Sequence, residues 1–362
     1  MIDGGRHDRA NNSSVFNSIK SHSICLSQPI TYGPHTIAAM HAVFSGSYGS
    51  RTGTNSYWST YKFKKDEFKT ISEYLHERNY YTCADVVNTL VIPKQGIDEF
   101  LIHDELNDDL TTRHIELLRK CYTKFENYQN FFLYLQFSNI HTGIMNEVLK
   151  VYNNFSDEFF SNKEKNERRY DNLFKQAEVY ITKILDEIKN LDLFKNSLIL
   201  IMSDHGISTG EKIGERAYGA FCYDYTLRTF AYILIPEKQG IDITQQVRTV
   251  DFMPTILDYL KISPDQKYEP MDGESLLPLL DNSPIEEKIA FSETGNPLKD
   301  TKPPKEPNLK SVRTSEWKLI YNEHDDSKEL YNLLADPNEE TNLFGTGLEI
   351  EEILWDNLKK FL

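Results

Sequence analysis

Two apolar runs limit what this chain can fold into. Phe131-Phe-Leu-Tyr-Leu-Gln-Phe137 and Ser197-Leu-Ile-Leu-Ile-Met202 have strand length and are apolar almost without interruption. A strand with one wet face alternates apolar and polar side chains. A strand buried on both faces does not, and such strands belong to parallel sheets covered by helices. Tyr80–Val87 and Thr229–Pro236 have the same β-rich composition. Helical patterns lie between these runs. Phe68, Ile71, Tyr74 and Leu75 share one helical face, as do Leu173, Ala177, Ile181, Ile184, Leu185 and Ile188. The alternation predicts an α/β fold, with a mostly parallel central sheet flanked by helices.

The 362 residues suffice for one large domain and an appendage. From about 140 to 169 the chain turns polar, ending in Asn162-Lys-Glu-Lys-Asn-Glu-Arg-Arg169, and reads as a solvated surface excursion. A second shift falls at Thr294–Pro307, where Pro297, Pro303, Pro304 and Pro307 punctuate a loop. Beyond it, Val312-Arg-Thr, Trp317–Tyr321 and Glu329–Leu333 read as short antiparallel strands, and Glu349–Phe361 as a closing helix. The expected division is a catalytic α/β domain at 1–293 and a linker with a small α+β subdomain at 294–362.

With 55 acidic against 40 basic side chains the net charge is -15, which argues against nonspecific nucleic-acid binding. A local basic pocket for a small anion stays compatible with that balance. Cys25, Cys83, Cys121 and Cys222 show neither a disulfide framework nor zinc-cluster spacing, which favours a reducing compartment. No apolar run is long enough to span a membrane as a helix. The sequence as given opens without a leader, so it reads as cytoplasmic, unless an export signal was lost with an upstream start.

The chemistry concentrates at strand ends. The run 197–202 leads into Ser203-Asp204-His205-Gly206, and in open α/β sheets sites form outside the carboxyl ends of strands. Taken alone, an Asp-His pair serves most often as a turn or cap. Ile2-Asp3-Gly4 has the same form, however. Asp3, Asp204 and His205 together offer two hard oxygen donors and one imidazole, a set suited to a divalent cation such as Mn, Mg, Ca or Zn. A third segment, Gly33-Pro-His-Thr36-Ile-Ala-Ala-Met-His-Ala-Val-Phe-Ser-Gly46, places the Thr36 hydroxyl at the head of an apolar helix. A helix N-terminus favours negative charge there.

These segments, in this order, resemble the sulfatase family of the alkaline-phosphatase superfamily. Ile2-Asp-Gly-Gly-Arg-His-Asp8 resembles its first metal-ligand segment, and Pro34 to Gly53 its nucleophile helix and the turn that follows. Ser203-Asp-His-Gly206 is similar to its second metal segment. Tyr223–Arg228, Arg248–Leu257, Asp272–Leu280, Arg313–Ile320 and Glu329–Pro337 resemble its later landmarks. The resemblance implies Asp3, Thr36, Asp204 and His205 as ligands of one divalent cation. It also implies His141 as a contact to the substrate anion or leaving group, and Lys212 and Arg216 as cationic candidates for the same task. Tyr218 stands where relatives often carry His or Lys, so no second metal is expected. The family's first Asp follows a full strand, whereas only Met1 and Ile2 precede Asp3 here. The first strand is therefore expected to be missing or truncated.

Thr36 departs from the family pattern. Family sulfatases convert a Cys or Ser in Cys-x-Pro-Ser-Arg to formylglycine, and here the stretch is Thr36-Ile-Ala-Ala-Met40. Oxidation of a threonine at its secondary carbinol would give a ketone. Thr nucleophiles do occur in family relatives that handle phosphate. The expected activity is thus hydrolysis of phosphate mono- or diesters, or phosphoryl transfer, through Thr36. The alternatives are a sulfuric ester hydrolase working without formylglycine, and a weakly active member that binds anions or glycans. The expected partner is a small anionic ester, such as a glycan or a lipid head group.

Overall fold

The computed structural model describes residues 1–125, 130–148, 157–215, 217–236, 238, 240–281, 283–296 and 304–362. Among these residues, seven strands build the main sheet region: β1 (Ile24–Ile30), β2 (Tyr80–Val86), β3 (Glu99–Ile102), β4 (Asn130–Leu135), β5 (Ile199–Met202), β6 (Ala231–Leu234) and β7 (Ile241–Arg248). One group has the order β3-β2-β4 and is parallel throughout. The other has the order β5-β6-β1-β7; β1 and β7 are parallel, and β6 runs against both of its neighbours.

Ile2 joins the two groups. It forms parallel bridges to Phe137, just past β4, and to Ser203, just past β5. Its N–H donates to Met202 at 2.8 Å, and the Asp3 N–H donates to Phe137 at 3.0 Å. Met1 and Ile2 thus occupy the slot of the expected first strand, and Asp3 emerges where β4 and β5 both end.

Helices cover both faces of the sheet, as the continuous apolar strands require. On one face the Lys163–Asn190 helix buries Leu173, Ala177, Ile181, Ile184 and Ile188 against Phe137, Ile201 and Phe230. On the other, Met40, Val43 and Phe44 of the Thr36–Ser45 helix pack with Ile71, Leu75, Val86, Ile233 and Val247. The charged run 162–169, expected as a surface excursion, instead forms the first turns of the 28-residue helix. The rest of its length supplies enough apolar contact to carry those turns. Asn166 is buried within them and donates to the carbonyls of Phe159 and Thr209.

The C-terminal sheet is antiparallel, in the order β11-β10-β9-β8, with β8 at Ala290–Thr294, β9 at Leu309–Arg313, β10 at Trp317–Asn322 and β11 at Ser327–Asn332. Val312, Leu319 and Leu330 bury one face against Leu354 and Leu358 of the Glu349–Leu358 helix. Phe361 stacks on Phe291, with ring centroids 4.0 Å apart.

A buried ion network fastens this sheet to the rest of the chain. Asp224 pairs with Arg313 at 2.8 Å and with Lys318 at 2.5 Å, and Lys318 also reaches Glu339 at 2.7 Å. The two cations hold the Asp224 carboxyl far below the usual carboxylate range, against the opposing effect of burial. The Lys318 side chain is fully buried, so removing it leaves Glu339 without its cation in a medium that solvates charge poorly. Lys318→Ala should lower unfolding free energy by about 3–5 kcal/mol. In the same urea titration, Lys62→Ala, which removes an exposed pair with Glu306, should change it by less than about 1 kcal/mol.

Candidate active site

The site forms where strand ends meet the head of the Thr36–Ser45 helix. Gly4, at φ +71°, turns the chain away directly after Asp3; a side chain there would collide with Ile207. That turn lets the Gly4 N–H donate to Asp204 Oδ1 at 3.1 Å, and the His205 N–H reaches the same oxygen at 2.9 Å. Asp3, Asp204 and His205 are all buried, with one ligating atom from each lying within 4.8 Å of the others.

The helix begins at Thr36, with His35 as the capping residue; the His35 ring accepts from the Ala38 N–H at 3.4 Å. Because His35 takes the cap, the Thr36 hydroxyl turns to the cluster. Its Oγ1 lies 3.4 Å from each Asp3 oxygen and 3.3 Å from His205 Nε2. At the other end Gly46 closes the helix in the left-handed conformation, at φ +62°, where glycine carries no Cβ penalty.

Protonation logic shows what the cluster is built to hold. His205 Nδ1 lies 2.8 Å from the Gly206 carbonyl, which only accepts, so Nδ1 carries the proton. Nε2 then presents a bare lone pair, 3.4 Å from Asp204 Oδ2 and 3.7 Å from Asp3 Oδ1. Asp204 Oδ2 is buried without a hydrogen-bond partner. Burial first, and the Asp3 charge after it, push the Asp204 carboxyl up to about 6, with neighbouring His205 working in the other direction. Two carboxylates and an imidazole lone pair thus converge in a buried space, and among the described residues none of their hydrogen-bond partners is a lysine or arginine. A divalent cation fits that donor set and would complete it.

The other expected site residues are placed differently. His141 lies in the short Asn139–Gly143 helix just past β4. Its ring is 5.9 Å from that of Tyr218, which in turn is 5.1 Å from that of His205, so Tyr218 forms an aromatic bridge between the two histidines. Lys212 is not brought to this cluster. Its ammonium donates to the Glu339 carbonyl and lies over the Tyr223 ring, at the junction with the C-terminal sheet. The cation is drawn to a carbonyl and a π face there, which its place in a charged loop did not reveal. Arg216 lies outside the described residues.

Two supporting residues escaped the sequence reading. Gln136 Nε2 donates to Asp3 Oδ2 at 2.7 Å, while its Oε1 accepts from the Val87 N–H at 3.0 Å, so the amide is held at both ends. Its signal was present: it is the one polar residue in the run 131–137. Glu105 faces His141 Nδ1 at 3.3 Å and accepts from the Thr142 hydroxyl at 3.1 Å. An acid in a polar loop carries no comparable signal.

Asp204→Ala and His205→Ala should each lose the cation held by this cluster, lowering the metal retained after dialysis by about one equivalent in elemental analysis. Gln136→Ala keeps all the ligands but frees one Asp3 oxygen to rotate. It should weaken metal affinity about 10–100-fold in a calorimetric titration.

Comparison with known proteins places this geometry. Residues 7–262 match the Sulfatase family, and residues 218–361 match the C-terminal part of N-sulphoglucosamine sulphohydrolase. An N-acetylglucosamine-6-O-sulfatase of Bacteroides thetaiotaomicron is 29% identical in an alignment 177 positions long that covers 46% of this chain and 29% of that protein. An extracellular SULF-1 homologue of Drosophila melanogaster is 31% identical over 105 residues, 29% of this chain and 9% of the relative. The matched stretches thus span less than a third of these relatives. A solved structure in complex with its substrate D-glucosamine-2-N,6-O-disulfate superposes with a TM-score of 0.76 at 17% identity, covering 99% of this chain and 96% of the other. The phosphonate monoester hydrolase of Agrobacterium radiobacter superposes with the same score at 13% identity, covering 99% and 94%. At such identities the superpositions speak for the fold alone. With the family match extending over most of its length, the chain belongs to the Sulfatase family.

Proposed function

We propose that this chain is a metal-dependent hydrolase of phosphate mono- or diesters, or a transferase of their phosphoryl group, with Thr36 as nucleophile. The observation that carries the reading is the position of Thr36 Oγ1, 3.4 Å from both Asp3 oxygens and 3.3 Å from His205 Nε2, at a helix N-terminus. A divalent cation of Mn, Mg, Ca or Zn type, held by Asp3, Asp204, His205 and the Thr36 oxygen, would supply positive charge that acidifies the hydroxyl and offsets the ester anion. Thr36 Oγ attacks phosphorus in line with the leaving oxygen. The free amides at the helix head favour the added negative charge. His141, oriented through Nδ1 by Glu105, offers Nε2 to the leaving group. Water or an acceptor alcohol then resolves phospho-Thr36.

A second reading has support from the relatives. Several bear sulfatase names, and one solved relative is described with a sulfated glucosamine. A sulfate ester on a sugar presents much the same tetrahedral anion, so an anionic glycan is a reasonable substrate class under either reading. Thr36 weighs toward phosphorus because it cannot become formylglycine.

Thr36→Ala should retain fold and most bound metal, yet lose turnover of nitrophenyl phosphate and bis-nitrophenyl phosphate by on the order of 10³-fold or more. Thr36→Ser should keep part of the activity, since it preserves the oxygen and removes only the methyl that restricts its rotamers. Wild-type rates in Thr36→Ala would remove the nucleophile and leave water as the attacking group. Turnover of nitrophenyl sulfate alone would move the assignment to the second reading.

A further inference from the structure

A second group of ligating side chains stands apart from Asp3, Asp204 and His205. Asp85 lies at the end of β2, His103 directly follows β3, and His114 lies in the first turns of the Leu110–Lys124 helix. The parallel pairing of β2 with β3 sets Asp85 opposite Leu101, and the His103 N–H donates to the Val86 carbonyl at 3.0 Å. One ligating atom from each residue lies within 4.8 Å of the others. Asp85 and His114 are fully buried, and His103 is 2% exposed.

The outer contacts of the three are those of metal ligands. His114 Nδ1 is 2.7 Å from the Tyr180 hydroxyl, and its Nε2 is buried with no hydrogen-bond partner. An imidazole held by one nitrogen, with the other bare and enclosed, loses solvation unless something binds it. His103 Nε2 is 2.9 Å from the Ser138 hydroxyl, and its Nδ1 is 2.8 Å from Asp85 Oδ1. Arg113 Nε holds the other Asp85 oxygen at 2.5 Å. Each ligand is therefore oriented from behind by a separate partner, the arrangement that fixes imidazoles and carboxylates around an ion.

We propose that Asp85, His103 and His114 form a second divalent-metal site, with two imidazoles and one carboxylate as ligands and a preference for zinc-like ions. The single-cation expectation rested on finding one cluster in the sequence. These three residues sit in unrelated segments, and only the fold gathers them. Imidazole-rich sets favour Zn and its neighbours, whereas the oxygen-rich set at Asp3 and Asp204 also accepts Mg, Ca or Mn. On binding, the ion takes the place of the proton between His103 Nδ1 and Asp85, and the imidazole carries its proton on Nε2 instead, where it donates to the Ser138 hydroxyl. A tetrahedral ion with bonds of about 2.0–2.1 Å separates its ligand atoms by about 3.3 Å, so the 2.8 Å pair has to open by about half an ångström. The Arg113 side chain is 32% exposed and also pairs with Asp108. Its outward swing opens an entry path and relieves repulsion with the ion. The site adjoins the catalytic wall, because Ser138 precedes the helix of His141 and the Gln136 N–H donates to the Asp85 carbonyl.

The test is a titration of the chelator-stripped full chain with Co²⁺, followed by visible absorption and by elemental analysis after desalting. The wild type should take up about two equivalents, Asp204→Asn about one and His114→Gln about one. The Asp204→Asn, His114→Gln double variant should take up none. Circular dichroism establishes whether His114→Gln is folded. If it is not, Tyr180→Phe, which removes only the outer contact, should weaken the Asp204-independent Co²⁺ affinity at least about tenfold. One equivalent in the wild type, lost in Asp204→Asn, would overturn the proposal, as would two equivalents unaffected by either His114→Gln or Tyr180→Phe. The readout is metal content and does not depend on the hydrolytic reading.

Discussion

Two carboxylates and an imidazole lone pair forced together out of water form the constraint on which the rest of this structure depends. Asp3, Asp204 and His205 would repel one another if nothing positive lay between them, and burial magnifies that repulsion. Such an arrangement persists only where the backbone over-determines it. Asp3 and Asp204 hang from adjacent strand ends joined through Ile2, their distance fixed by a sheet spacing that side chains cannot alter. Amides from Gly4, His205 and Gln136 then hold particular carboxylate oxygens. The cluster is electrostatically unfavourable alone and geometrically fixed, which is the property of a preformed cation site.

The antiparallel β6 follows from the same requirement. A right-handed parallel crossover from β5 would carry the chain to the opposite end of the sheet. Here the connection from Ser203 to Phe230 stays at the carboxyl end of β5, and β6 runs back from there beside β5 and β1. The whole connection is therefore available to build the site's edge, and it supplies His205 and Tyr218. Within it, buried Glu215 accepts from the amides of Ala220 and Phe221 and from the Tyr225 hydroxyl. Burial raises the Glu215 carboxyl to about 7, against those hydrogen bonds. This acid folds the loop onto itself and so helps to place Tyr218.

What could be read from the sequence divides along physical lines. The strands β2, β4, β5 and β6 were legible because each is β-rich and largely apolar over strand length, although β2 carries Thr82 and Asp85. The strand β1 was not, because Ser27, Gln28 and Pro29 interrupt it. Pro29 lies beyond the Ile24 to Leu26 stretch that pairs with β6, and its carbonyl accepts from the Thr229 N–H at 2.9 Å. β7 was missed because its Thr-Gln-Gln stretch is polar, with Gln246 satisfied by the carbonyls of Lys288 and Arg313. At the site, the candidate ligands Asp3, Asp204 and His205 were expected from acids and a histidine at strand ends followed by glycine, and the fold brings the three together. Lys212 was misplaced because a charged loop does not encode where its cation goes. His103 and His114 formed no pattern, since their meeting depends on the register of β2 with β3 and on how a helix packs.

The C-terminal sheet has a part in the site even though it contributes no ligand. The connection between β5 and β6 is tethered at both ends. Arg6 donates to the Ile207 carbonyl at 2.8 Å and pairs with Glu211 at 2.5 Å, holding the start of the loop to the segment that carries Asp3. Lys212, next to Glu211, adds a bond to the Glu339 carbonyl, and near the loop's other end Asp224 is locked by Arg313 and Lys318. Between these anchors lies Tyr218, the aromatic contact between His205 and His141. A loop of this length held at one end only would sample many arrangements, and ordering the Tyr218 ring would then cost conformational entropy. The buried Asp224–Lys318–Glu339 network removes that freedom in advance. It preorganises a wall beside the Asp3, Asp204 and His205 cluster, and two of its members, Lys318 and Glu339, lie more than a hundred positions away from that cluster in the chain.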